Sequence, residues 1–328
     1  MRADVDRRAT LLVVLLALCI GGGCQSHATS ERDGRVVVDH AVVDLADDAA
    51  SNCFAAVEGR AAGALRFAAL DEASGIVASA KNPGVFWAHN DAGNAAELFA
   101  FNRSGELLAR YALAGVVGID IEDLALGPSE DGLAEDLFIA DIGDNDLLRG
   151  TVVVYRFAEP IVKSDQAPIT ASLAPLAEYV LRYPDGAHDA ETLIVDPVRG
   201  DLLIATKTKQ APAKLFVSTA PLDPLNARLL VLAGSLAIGQ PPLEASDRRL
   251  TAGDARDNQI ILRTYSGAFL WRSDGVPLAE ALTTTRPCAL PVDDAPQGEA
   301  IALDPAGAGY FTISEALRAT LYHYQWRE

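Results

Sequence analysis

The sequence predicts an all-β fold, a six-bladed β-propeller closed by an N-terminal strand, and three observations lead there. Five short acidic signatures recur along the chain: DEASGI at 71–76, DIEDLAL at 120–126, DAETLIV at 189–195, TAGDA at 251–255 and GEAIAL at 298–303. Each is followed by a β-rich segment: VFWAHND, DLFIADIGDN, DLLIATK, QIILRTYSGAFLW and GYFTISE. Repetition at this interval is the signature of propeller blades. Residues 36–328 then supply length for about six blades of roughly 40 to 50 residues each.

Taken in order, residues 1–23 read as an export signal, because Arg2, Arg7 and Arg8 precede the apolar run LLVVLLALCI. That run is too short to span a bilayer as a helix. Gly21-Gly22-Gly23-Cys24 resembles a bacterial lipobox, with Gly21 where that motif usually has Leu, and it makes Cys24 the expected lipidation site. Residues 24–55 read as the anchor cysteine, a polar tether and the closing strand, placed at Val36–Leu45; residues 56–328 read as the propeller. With Cys19 removed and Cys24 acylated, Cys53 and Cys288 remain, either as two buried thiols or as a disulfide. Export to an oxidising compartment favours the disulfide, which would contribute about 2 to 5 kcal/mol.

Within the propeller, TVVVYRF, DLFIADI, DLLIATK, LFVSTA and QIILRTY are short, rich in β-branched and aromatic residues, and bounded by turn formers. LLARYAL and ARLLVLAGSL fit a helix in isolation, but their place between strand signals assigns them to strands. The steps between the markers Glu72, Glu122, Glu191, Asp254 and Glu299 are 50, 69, 63 and 45 residues. The long steps contain insertions at Lys163–Tyr179 and Leu222–Ser246, one of which is expected to supply the sixth blade.

Lys+Arg number 27 against Asp+Glu 45, a net charge of −18. Such a surface repels nucleic acid and anionic lipid while attracting cations, so nucleic-acid binding is excluded and contact with a membrane is expected only through the N-terminal anchor.

The first strand of each blade lines the propeller axis, so the marker residues should form an acidic ring that calls for a cation, shared protons or basic partners. A second set follows at the far ends of the next strands: His89, Asn90 and Asp91; Asp141, Asp144 and Asn145; Lys207; Arg263 and Tyr265; Ser314 and Glu315. Their varied chemistry is that of one scaffold position specialised into an asymmetric pocket. Carboxylates with Asn make a hard-oxygen environment suited to Ca²⁺ or Mg²⁺. Zinc is disfavoured, since the five histidines form no paired-ligand spacing.

The ordered motifs ASGI, WAHNDAG, DIEDLALG, FIADIGDN, YPDGAHDAETL, RTYSGAFLW and QGEAIAL resemble those of a largely uncharacterised family of exported bacterial β-propellers of the TolB-like or NHL-like kind. More distantly, the chain is similar to the calcium-dependent phosphotriesterase, gluconolactonase and phytase-like six-bladed propellers. That resemblance implies metal ligation by Glu122, Asp141, Asp144, Asn145, Glu191 and Glu299. The expected protein is a monomer in the cell envelope, an outer-membrane lipoprotein facing the periplasm or the cell surface, whose acidic pocket binds Ca²⁺ and a small polar ligand. As a metal-dependent hydrolase of lactones or phosphoesters, it would use His89 or Asp91 to move a proton, while Asn90, Lys207, Arg263, Tyr265 and Glu315 bind ligand. The alternative is a non-catalytic propeller binding a protein or glycan partner.

Overall fold

The computed structural model describes residues 15–19, 24–32, 35–40, 58–209, 212–236, 238 and 248–327, in two units that divide after Cys53. In the first unit, β1 (Leu15–Cys19), β2 (Cys24–Arg32) and β3 (Arg35–His40) form an antiparallel sheet in that order. β1 lies within the segment read as an export signal, and Cys24 opens β2.

The second unit is a five-bladed propeller, one blade fewer than the sequence predicts. Its elements begin with β4 (Arg60–Ala64), β5 (Ala73–Ala78), β6 (Val85–Asn90), β7 (Glu97–Asn102), β8 (Leu107–Leu113), β9 (Ile121–Pro128), β10 (Glu135–Asp141) and β11 (Val152–Ala158). They continue with β12 (Ile169–Leu173), β13 (Ala177–Arg182), β14 (Ala190–Val195), β15 (Leu202–Thr206), β16 (Ala213–Ser218), β17 (Arg228–Leu229) and β18 (Val231–Leu236). β19 (Leu250–Arg256), β20 (Gln259–Thr264), β21 (Ala268–Arg272), α1 (Leu278–Thr284), β22 (Cys288–Leu290), β23 (Ala300–Leu303), β24 (Gly309–Ile313) and β25 (Thr320–Gln325) complete it. From the axis outward, the blades run β5-β6-β7-β8, β9-β10-β11-β13, β14-β15-β16-β18, β19-β20-β21-β22 and β23-β24-β25-β4.

The missing blade is accounted for by the two insertions. Each contributes a strand to the outer edge of the blade before its own rather than a new sheet. β12 leaves the second blade to pair in parallel with β8 of the first, and β17 leaves the third to pair in parallel with β13 of the second. Outer edges that would otherwise present unpaired backbone are thereby covered. Ring closure by an N-terminal strand holds, but the strand is Arg60–Ala64, which pairs with β25, whereas Arg35–His40 belongs to the small sheet. Cys288 is disulfide-bonded; Cys53 lies outside the described residues.

Five apolar clusters fill the five interfaces between adjacent blades. Inner strands are therefore covered on both faces, and β5, β14 and β23 are buried at every position. This is why the signatures read as unbroken apolar runs after their acid rather than as alternating strands. Trp87 packs between the first two blades, and its Nε1 donates to Glu159 at 2.8 Å. α1 sets Leu278, Ala281 and Leu282 into the interface of the third and fourth.

Neighbouring inner strands are joined across the axis by side chains. Asp123, fully buried, accepts from the amides of Leu124 (2.9 Å), Leu193 (2.9 Å) and Gly253 (3.2 Å), which tie together the second, third and fourth blades. Asp254 accepts from Ala255 and Leu303, joining the fourth and fifth, and burial pushes its carboxyl up to about 6. Ser74 Oγ donates to the Glu122 carbonyl at 2.7 Å, and Thr251 Oγ1 to that of Gly298 at 2.9 Å. Gly253 permits this spacing, since a Cβ there would lie 2.8 Å from both Thr192 Cγ2 and Leu262 Cδ2.

Asp123→Ala strands three buried amides. At about 1 to 3 kcal/mol per unsatisfied group, offset in part by relief of the buried carboxyl, the expected loss is at least about 2 kcal/mol. Asp123→Asn keeps one acceptor oxygen and should lose less. The urea midpoint, read at unchanged m-value, checks both.

Candidate metal centre

Four inner strands carry a one-residue bulge near their entry, where pairing with the second strand skips a residue. The skipped residues are Ser74, Glu122, Glu191 and Thr251. Glu299, immediately before β23, holds the corresponding place in the fifth blade. A bulge re-aims the side chain it carries, here at the mouth of the central channel. The marker ring is thus Ser74, Glu122, Glu191, Thr251 and Glu299. Glu72 sits one turn of chain earlier, and Asp254 lies deeper, clasping two strands together.

Two residues before each bulge position come Glu72, Asp120, Asp189, Arg249 and Gln297. The amides of Asp91, Gly143, Lys207 and Glu315 donate to the carbonyls of Glu72, Asp120, Asp189 and Gln297, which aligns the exits of the second strands with this outer ring. The mouth therefore stacks three layers of side chains, most of them acidic.

Asp91, Asp120 and Glu122 place one carboxylate oxygen each within 4.8 Å of one another. Asp120 is nine-tenths buried, and its Oδ1 has no hydrogen-bond partner. Gly143 makes the space, because a Cβ there would stand 2.3 Å from Glu122 Oε1 and 2.4 Å from Asp120 Oδ2. Any larger residue would fill the cradle in which the two carboxylates meet. Burial first, then the negative charge of Asp91, pushes Asp120 up to about 6; burial and then Glu191 and Asp91 hold Glu122 well above the usual carboxylate range.

Around this trio, Glu191 contacts the Lys207 ammonium through Oε1, while its buried Oε2 has no partner. Burial acts to raise the Glu191 carboxyl, and the ammonium acts to keep it charged; direct contact decides for the ion pair. Burial alone would lower Lys207, but Glu191 holds it above the ordinary lysine value. Glu299 is raised by burial against the pull of Lys207, and Glu315 is raised by burial and by Asp91 and Glu72. Among the described residues, no lysine or arginine forms an ion pair with Asp91, Asp120 or Glu122.

The structure sorts the residues singled out from the sequence. Glu122, Glu191, Glu299, Asp91, Lys207, Tyr265 and Glu315 belong to the mouth. Asp141 does not, because its two oxygens accept from the amides of Ile119 and Asp120 at 3.0 Å and it pairs with Arg149 at 2.8 Å. Asn90 has the same task in the first blade, accepting from the Asp71 and Glu72 amides. Asp144 accepts from the amides of Leu148 and Arg149 in its own turn, on which Asn145 is exposed. Arg263 is wholly buried, donating to the Ala300 carbonyl at 3.0 Å and to Asp293 at 3.2 Å. His89 is sunk beneath the mouth; its Nδ1 lies 2.9 Å from the Asn90 carbonyl, so that nitrogen carries the proton, and burial lowers its pKa. Asp120, Asp189 and Arg249 escaped sequence reasoning, although the repeated D-x-E of Asp120–Glu122 and Asp189–Glu191 carries the signal for the first two.

No protein-family model matches this chain and no curated protein matches it in sequence, so the reading of the site stands on its residues.

Proposed function

We propose that the channel mouth is a divalent-cation site for a small polar ligand, with Asp91, Asp120 and Glu122 as the ligating trio and Glu191 Oε2 beside it. The observation that carries this reading is the buried, unpartnered Oδ1 of Asp120 within three converging carboxylates. Like charges at that distance need either protons or a cation. All-oxygen donors favour Ca²⁺ or Mg²⁺, and a bound ion would polarise a ligand oxygen or a water. Asp91 is the member of the trio with solvent exposure, so proton transfer to or from a ligand falls to it rather than to buried His89. Hydrolysis of a lactone or phosphoester is the reaction class this arrangement supports.

The rim of the second blade favours a further reading. Val117, Ile119, Leu147 and Leu148 are exposed on the loops flanking Asp120 and Gly143, an apolar border suited to a protein partner or to the body of a ligand. The N-terminal signature supports placing the molecule in the cell envelope through Cys24. No helix among the described residues is long and apolar enough to cross a membrane. Cys24→Ser should move the protein from the membrane to the soluble fraction, read by fractionation.

Calcium at a hundredfold excess over Kd should stabilise the protein by about 2.7 kcal/mol, or roughly 5 °C in Tm for a domain of this size. Glu122→Gln should raise the metal-free Tm, because it removes repulsion, and yet abolish the calcium response. Asp144→Ala should lower Tm while keeping that response. A calcium shift retained in Glu122→Gln removes the assignment.

The response should also depend on pH with a fixed sign. Asp120 at about 6 binds its proton more tightly folded than unfolded. Its contribution to metal-free stability is therefore complete below about pH 4 and falls as pH rises to about 6. Calcium competes with that proton, so the calcium-induced Tm shift should grow as pH rises through about 6, as a series of melts would record.

A further inference from the structure

The fourth blade departs from the acidic pattern. At the three layers where the others present mainly carboxylates, it places Arg249, Thr251 and Tyr265. The Arg249 guanidinium carbon lies 4.4 Å from the centroid of the Tyr265 ring, and Lys207 Nζ lies 5.3 Å from the same centroid. Lys207 is taken by Glu191. Among the described residues Arg249 is not taken: its Nε is buried without a hydrogen-bond partner there, and it forms no ion pair with them. It lines an open cavity of about 590 Å³ together with Tyr265, Val292, Asp294, Pro296 and Gln297. Asp293, on the same wall, is already held by Arg263, Thr312 and Ser314.

We propose that this cavity is an anion subsite, in which Arg249 recognises the carboxylate of a small organic monoanion whose apolar body rests against Tyr265 and Pro296. A guanidinium held over an aromatic ring keeps its planar fork of donors for an oxyanion, and a carboxylate matches that fork with two parallel hydrogen bonds. Asp294 and the carboxylates of the mouth select against dianions, which would meet more repulsion than a single charge does. The ligand-binding role expected from the sequence at Lys207 and Arg263 thus passes to Arg249. The inference rests on the reading of the mouth as a small-ligand site and gives that ligand its chemical class.

The test titrates the purified protein with benzoate, benzamide and phenyl phosphate by saturation-transfer NMR, in separate series with and without calcium. Benzoate should saturate, with benzamide and phenyl phosphate at least tenfold weaker. Arg249→Gln should lose benzoate affinity at least tenfold while retaining the wild-type calcium response, and Arg249→Lys, which keeps charge but not the fork, should lose less. Absence of saturable benzoate binding, equal binding of benzamide, or benzoate affinity unchanged in Arg249→Gln overturns the proposal. Should Arg249→Gln fail to fold, Arg249→Lys decides, since undiminished benzoate affinity there removes the fork from the argument. A missing calcium response in wild-type protein that still binds benzoate would instead remove the cation reading, so the two failures are distinguishable.

Discussion

Everything in this propeller depends on how the free edges of its five inner strands are satisfied. Each blade hydrogen-bonds outward through its own sheet, which leaves the axial edge of the first strand without a ladder partner. Buried amides there must find acceptors, and Asp123 serves three of them from three different blades. A carboxylate suits this position because its two oxygens offer several lone pairs and no donor. Desolvation of the acid is the opposing cost, visible in how far burial raises Asp123 above the usual range. Asp254 repeats the solution between the fourth and fifth blades. The acidity of the axis thus begins as architecture, before any question of a ligand.

The mouth uses the same scaffold to the opposite end. At the bulges of β9 and β14, the carboxylate oxygens of Glu122 and Glu191 are not consumed by neighbouring amides. Asp141 and Asp120 show the contrast within one blade. Both are buried acids near the entry of β9, yet Asp141 spends its oxygens on two amides and Arg149, whereas Asp120 retains one with no partner. Burial and charge alone do not separate structural from functional carboxylates here. Hydrogen-bond accounting does.

Much of the fold was legible in the sequence because propeller burial imposes a local pattern: an apolar inner strand introduced by a polar residue, then a β-rich partner. The blade number was not, since β12 and β17 join blades from which they are distant in sequence, and no turn or periodic signal encodes a parallel pairing of that kind. Asp254 was matched to Glu122 and Glu191 because it is the acid of its signature, but the bulge falls at Thr251. A shift of three residues along an inner strand moves a side chain from the mouth into the axial clasp, and composition cannot reveal it. His89 and Arg263 were drawn to the site by their chemistry, although their depth in the fold was invisible from sequence.

The fourth blade explains why a ring of near-equivalent positions can serve an asymmetric purpose. Five identical acids would repel one another equally and define no direction for a ligand. Arg249, Thr251 and Tyr265 in place of acids give one blade a cation over an aromatic ring, while the first and second blades supply the carboxylate cluster. A monoanion would meet complementary charge only at Arg249, which fixes which of its ends points to the fourth blade. The same arrangement keeps Arg249 from neutralising the trio: its guanidinium is held over Tyr265 rather than against Asp120 or Glu122.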